Sequence, residues 1–272
     1  MIVDTHAHVW SSDPSAYPFQ PILAHVPPPT QPAPVEMLID DMDRAGVDRV
    51  VLVQPSVYGW DNRYLMDCLE RWPQRFAGIC LVDPRAPDPA ADLARWCGPG
   101  GCTGLRFNII RQGDAGWLLD AARRPLFAAV EALGLNLSFH MDIGQAPVIA
   151  ALAARHPATP FIVDYLGGAV HRAPEADVHL DALAGVPNVA FKLLCVAEDA
   201  RTPYPFPDIV PFYRRVLDRF GAARVMYGSD YPGVRKVCSY EQAVDWGRLF
   251  PDLAEEERRQ VMGGTAARLL RL

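Results

Sequence analysis

"PVEMLIDDMDRAGVDRVVLVQ", residues 34–54, holds a helix and a strand almost back to back. Pro34 stands near the start of an amphipathic run and Gly46 at its end. That is the usual asymmetry of helix boundaries, since an early helical position needs no N–H and a left-handed end suits glycine. After Val47 and Asp48 comes "RVVLVQ" (49–54), apolar at consecutive positions and not at alternate ones. A strand of that kind is buried on both faces, as in a parallel sheet covered by helices.

The same unit recurs outward in both directions. "MIVDTHAH" (1–8) precedes it, and "FAGICLV" (76–82), "GLRFNII" (104–110), "NLSFHM" (136–141), "FIVDYL" (161–166), "VAFKLL" (189–194) and "RVMYGSD" (224–230) follow. Helical patterns lie between them: "RPLFAAVEALG" (124–134), "APVIAALAARHP" (146–157), "DIVPFYRRVLDRFG" (208–221) and "SYEQAVDWGRLF" (239–250). Eight strands alternating with helices in 272 residues predict an α/β fold, a (β/α)8 TIM-type barrel forming a single domain over 1–272. A doubly wound sheet would want a glycine-rich turn after its first strand, and "HAHVWSSD" has none. Residues 11–34, with the proline cluster "VPPPTQPAP" (26–34), read as one long loop over the barrel mouth.

Composition sets the outer bounds. Half the residues are hydrophobic and 21% charged, which is globular composition. A net charge of −6 disfavours a general nucleic-acid or anionic-membrane surface, though a local basic pocket for a small anion stays open. No apolar run approaches a membrane span. The six cysteines form no CxxC pair, so they read as reduced thiols and the cytoplasm is the expected compartment.

Polar residues at strand ends carry the functional reading, because barrels of this type build their sites there. Asp4, His6 and His8 alternate along the first strand and so share a face. Arg106 and Asn108 lie on strand four, His140 and Asp142 end strand five, and Asp164 and Tyr165 end strand six. Lys192 lies on strand seven and Asp230 ends strand eight. Such groups inside apolar runs are costly without partners. A hydrogen-bonded core pair would explain two histidines, but an HxH on a strand, with a further histidine and aspartate on later strands, favours a site. Imidazoles plus a carboxylate suit Zn²⁺ or a similar divalent ion. Asp230 reads as the general base that takes a proton from water, against the plainer role of capping the "SDYPG" turn. Arg106 either pairs with a neighbouring acid or holds a substrate carboxylate, and Lys192 divides between the same two roles. Tyr58, Trp60, Trp10 and Tyr231 are expected to line the mouth. His156, His171 and His179 are expected at the surface, and His25 in the covering loop stays open.

With these residues in place, the chain resembles the amidohydrolase superfamily, in particular the amidohydrolase-related branch of sugar lactonases, pyrone-dicarboxylate lactonase and related decarboxylases. The resemblance rests on "VDTHAHVW" (3–10), "WPQRFAGICLVDP" (72–84), "GLRFN" (104–108), "FHM" (139–141), "RVMYGSDYP" (224–232) and "VMGGTAARLLRL" (261–272). It implies a (β/α)8 barrel in which His6, His8, His140 and Asp230 form a metal site, with zinc the first candidate and manganese the alternative. Asp230 is implied as the base and Arg106 as a contact to substrate carboxylates. The branch also includes metal-free lactonases, in which the first-strand histidines and an arginine polarise the carbonyl. Two positions depart from the pattern. Many relatives follow the strand-six aspartate with histidine, where this chain has Tyr165, and Thr265 replaces a usual asparagine. A phenol with an ordinary pKa of about 10 is no base at neutral pH but can donate to an oxyanion.

The leading expectation is therefore a hydrolase that opens a small lactone or related carboxylic ester. His6, His8, Tyr165 and Asp230 would act in catalysis, and Arg106, Lys192, Tyr58 and Trp60 in substrate binding. A metal-dependent decarboxylase or hydratase is the alternative, and a non-catalytic ligand-binding barrel the third. The expected partner is a small carboxylate or lactone, with no nucleic acid or membrane and with a homo-oligomer left open. Specificity is expected in loops 11–34, 55–62 and 195–207.

Overall fold

The computed structural model describes residues 1–23, 26–171, 175–194 and 200–272. Eight strands follow one another around the sheet in chain order: β1 Val3–Ala7, β2 Arg49–Val53, β3 Phe76–Cys80, β4 Gly104–Asn108, β5 Asn136–His140, β6 Phe161–Val163, β7 Val189–Leu194 and β8 Val225–Gly228. Each pair of successive strands is parallel. All eight expected strands are present, in the order a (β/α)8 barrel requires.

The consecutive apolar residues serve two cores. Val50, Leu52, Leu105, Phe107, Leu137, Phe139 and Phe191 join the layer between sheet and helices. Their neighbours Val51, Val53, Ala77, Ile79, Ile162, Ala190 and Met226 form a second cluster with Ala266 and Leu270 of the C-terminal helix, Thr265–Leu270. Small apolar groups therefore fill one end of the barrel, and the polar positions of the same strands collect at the other. Thr265 is fully buried, and its hydroxyl donates to the Ala222 carbonyl at 2.7 Å.

The ring closes between β1 and β8, where the backbone contributes little. The Thr5 hydroxyl donates to the Tyr227 carbonyl at 2.5 Å, and the Ser229 N–H donates to Asp4 Oδ1 at 2.9 Å. Only at the upper end do main-chain bonds appear, from Asp230 N–H to His6 O at 2.9 Å and from His8 N–H to Tyr231 O at 2.6 Å.

Two elements differ from expectation. β6 stops at Val163, three residues short of the predicted run. From Tyr165 to Gly168 the chain makes a left-handed turn, with φ of 54°, 50°, 63° and 71°. Two of those residues are glycines, and at Gly167 a Cβ would lie 3.0 Å from the Ile143 Cα, so only glycine fits. The predicted helix 239–250 is two short ones, Tyr240–Val244 and Trp246–Leu249, because the Asp245 side chain accepts from the Arg248 N–H and starts the second.

The segment from residue 11 is tied to the barrel top. Trp10 N–H donates to Ala33 O at 2.9 Å, and Phe19 stacks on Tyr58 with ring centroids 5.1 Å apart. Tyr58 and Tyr231 are buried and line no part of the mouth. The hydroxyl of Tyr58 accepts from the Ser11 N–H at 2.8 Å, so an aromatic expected to face substrate instead anchors the loop. His25, part of the 195–207 loop and the His171 side chain lie outside what is described.

Candidate active site

Period-two geometry aims His6 and His8 into the same end of the barrel, and the seam brings Asp230 to them. His6 Nε2 and His8 Nε2 are 3.2 Å apart, and Asp230 Oδ1 lies 3.7 Å from the first and 3.5 Å from the second. The two rings meet edge to face. His8 Nδ1 donates to the Val53 carbonyl at 2.7 Å, which fixes its tautomer and leaves Nε2 with a lone pair toward the cavity. Asp230 holds φ at 58°, an uncommon angle for a residue with a side chain, and Tyr165 across the cavity has φ 54°. Strained backbone of this kind is a frequent mark of function.

Beneath them lies a buried ion cluster, of which Arg106 alone reaches the cavity. Arg106 Nε donates to Asp164 Oδ2 at 2.9 Å, and Lys192 Nζ lies 3.3 Å from Asp164 Oδ1. Lys192 also comes within 3.4 Å of His6 Nδ1, and Asp164 Oδ1 within 3.7 Å of the same nitrogen. Burial alone would raise the Asp164 carboxyl, but Lys192 and Arg106 outweigh it and hold the group below its ordinary value. Burial lowers His6 well below 6.5, helped by Lys192 and Arg106. Burial likewise brings His8 to about 4, with Arg106 adding to the effect. Both imidazoles are therefore neutral at pH 7, the form that offers a lone pair to a Lewis acid.

Above this floor opens a cavity of about 800 Å³. His8, Arg106, Asn108, His140, Tyr165 and Asp230 form its barrel side, and Trp10 with residues 26–32 of the proline-rich segment forms the opposite wall. His140 packs its ring against Tyr165 at 5.2 Å. Lys192 does not reach the cavity, and Trp60 lines a smaller pocket beside it. Asp4 lies one pair deeper than His6 and takes hydrogen bonds from the Ser229 hydroxyl, the Tyr240 hydroxyl and two backbone N–H groups. His156 is half-buried against Glu131, at 2.7 Å, and His179 is half-buried on its helix.

The donor set fits a divalent ion. One ligand atom each from His6, His8 and Asp230 lies within 4.8 Å of the others. Their separations of 3.2, 3.5 and 3.7 Å bracket the edge of about 3.3 Å expected for a tetrahedron with arms of roughly 2.0–2.1 Å. His8 has the backbone acceptor typical of a ligating imidazole, and Asp164 could receive the Nδ1 proton of His6. Lys192 competes for that same nitrogen, so His6 binds a cation only with its proton turned toward Asp164.

Several residues of the site escaped the sequence reading. Asp164 as the hub of an ion cluster depends on pairings 58 and 28 residues apart, which no local pattern reveals. Arg235 and Lys236 join the cavity rim from a turn after β8 whose sequence carries no signal beyond basicity. The "GG" after Tyr165 was the available clue to the left-handed turn.

A parallel eight-stranded barrel with a His-x-His strand, an aspartate after the last strand and a buried Arg–Asp–Lys cluster defines a class of barrel hydrolase. Residues 3–272 match the amidohydrolase family, and the chain belongs to it. It is 29% identical over 283 residues to an L-fucono-1,5-lactonase of Burkholderia ambifaria, covering 99% of this chain and 95% of that one. It is also 29% identical to a 4-sulfomuconolactone hydrolase of Hydrogenophaga intermedia, covering 98% and 87%. Among solved structures, an amidohydrolase of Burkholderia multivorans with bound zinc superposes with a TM-score of 0.81 at 25% identity, over 100% of this chain and 99% of that one.

Proposed function

We propose that this enzyme hydrolyses a small lactone by attack of water on the ring carbonyl. Asp230 accepts the proton of the attacking water, and the same proton then passes to the ring oxygen as the C–O bond breaks, giving a hydroxy acid. Tyr165 donates its phenolic hydrogen bond to the carbonyl oxygen as negative charge grows there. Arg106, with Nε committed to Asp164, turns the rest of its guanidinium to a substrate carbonyl or carboxylate. His6, His8 and Asp230 would hold a divalent cation, zinc first and manganese second, with His140 as a further donor from across the cavity. Such an ion lowers the pKa of water and polarises a carbonyl. Tyr165 weighs against decarboxylation that relies on an imidazole at that position.

The single observation that carries this reading is the meeting of His6, His8 and Asp230 within 4.8 Å at the floor of a cavity whose walls bear Arg106 and Tyr165. The named lactonases among the relatives support it. Free thiols at every cysteine among the described residues support a cytoplasmic setting. The test is acid release measured at constant pH on a panel of aldonic, muconic and pyrone lactones. Asp230→Asn is expected to lower kcat by roughly 10²–10⁴-fold with the fold retained. Substantial retained turnover, or CO₂ release in place of lactone opening, would reject the reading. Elemental analysis of protein purified without added metal identifies the ion.

A further inference from the structure

Lys192 has no accessible surface, yet it is a cation that the cluster beneath the histidines could do without. Arg106 Nε donates to Asp164 Oδ2 at 2.9 Å, so that carboxylate has a charged partner before Lys192 is counted. A second buried cation is costly and calls for a further reason. Its Nζ lies 3.3 Å from Asp164 Oδ1 and 3.4 Å from His6 Nδ1, and His6 is as fully enclosed as the lysine. An ammonium only donates, so the second contact requires a lone pair on His6 Nδ1. Asp164 Oδ1, the acceptor that would call for a proton on that nitrogen, stands farther off at 3.7 Å.

The other nitrogen of His6 gives the same answer independently. His8 Nδ1 faces the Val53 carbonyl at 2.7 Å, and a carbonyl only accepts, so the proton of neutral His8 sits on Nδ1 and its Nε2 bears a lone pair. His6 Nε2 lies 3.2 Å from that lone pair, which places the single proton of neutral His6 on Nε2. One oriented chain results, from Lys192 through His6 and His8 to the Val53 carbonyl, with each donor matched to an acceptor. A divalent ion needs the reverse on His6, a lone pair on Nε2 and the proton on Nδ1. That proton would then face the Lys192 ammonium. We propose that Lys192 sets the tautomer of His6 and thereby holds down the affinity of the His6–His8–Asp230 site for a divalent ion. Binding requires the proton to leave Nε2 and be held on Nδ1 against Asp164, a rearrangement that Lys192 opposes. The inference rests on the reading of these three residues as an ion site and adds a positioning residue that regulates it.

The test uses Lys192→Met, which keeps an unbranched side chain and removes its charge and its donors. Calorimetric titration of the chelator-treated full chain with zinc chloride is expected to show an affinity raised roughly 10–100-fold over the parent, the size of effect that partners of a ligating imidazole have. Long-range proton–nitrogen NMR spectra report the tautomer directly, with the His6 signals assigned by their loss in His6→Gln. The zinc-free parent is expected in the Nε2–H form. The zinc-free variant is expected to shift toward Nδ1–H, because the Asp164 carboxylate is a stronger acceptor than the neutral His8 ring. A parent in the Nδ1–H form overturns the proposal, and that measurement needs no variant should Lys192→Met fold poorly. Zinc affinity unchanged within about threefold in the folded variant also overturns it and leaves the ion site standing. A rise in affinity with the tautomer unmoved overturns it as well, because loss of charge alone then accounts for the gain. Zinc taken up by neither protein, with the tautomer moved, rejects the ion site and the effect on affinity but keeps the hold of Lys192 on His6.

Discussion

Asp4 and Asp164 are the same side chain at the same burial, both fully enclosed and both next to His6, yet their environments push them in opposite directions. Asp4 is surrounded by neutral donors: the hydroxyls of Ser229 and Tyr240 and the N–H groups of His6 and Ser229. Burial prevails there and raises its carboxyl. Asp164 faces Lys192 and Arg106, and two cations overcome burial and lower it. Desolvation is common to both, so the neighbours decide the sign. The roles divide accordingly. Asp4 fixes backbone, holding the Ser229 turn that carries Asp230, while Asp164 fixes charge, keeping two buried cations in place beneath the histidines.

The largest expected effect follows from removing the anion between two cations. Asp164→Asn leaves Lys192 and Arg106 buried without their partner, which should cost roughly 3–5 kcal/mol in urea unfolding. A loss below about 1 kcal/mol would show that the cluster is solvated, contrary to its burial. Asp4→Asn should cost less, roughly 1–3 kcal/mol, because only neutral donors lose an acceptor. Adding Tyr240→Phe should restore part of that loss by removing one stranded hydroxyl, and no recovery would mean that the Tyr240 bond is immaterial.

The pH dependence should differ in sign between the two. Asp164 is lowered, so its contribution is present above its ordinary value of 3.8 and lost as pH falls through the folded value. Asp4 is raised, so its titration favours the fold below 3.8, and that advantage is lost as pH rises through the folded value. The parent-minus-Asn stability difference should therefore shrink toward acid for Asp164 and grow toward acid for Asp4. Parallel slopes in the two series would break the comparison. Asp61 is the half-buried control, with a bidentate bond to the exposed Arg63, at 2.7 Å for its shortest contact. Asp61→Asn should cost at most about 1 kcal/mol, since water screens a surface pair.

Much of the fold was legible because a parallel strand buried on both faces leaves a continuous apolar run, and eight of these alternate with helices. His6, His8 and Asp230 were legible because a polar residue inside such a run needs a reason. What stayed hidden depends on long-range pairing. Nothing near Arg106 in sequence shows that Asp164 will take its Nε, and nothing near Asn108 shows that its amide will have no partner among the described residues. Tyr58 misled because an aromatic after a strand end serves equally well as a loop anchor or a cavity wall. The end of β6 was placed too late because "VDYLGG" continues apolar while its backbone has already turned left-handed.

The seam between β1 and β8 gives the molecule a built-in reporter. Its two main-chain bonds involve the amides of His8 and Asp230, and both sit at the end that carries the candidate site. Any opening of the barrel along that line exposes those two protons to solvent and separates the histidines from the aspartate in the same event. Deuterium uptake at these two positions would therefore time the lifetime of the assembled site itself, and a ligand that spans the seam should slow both amides together.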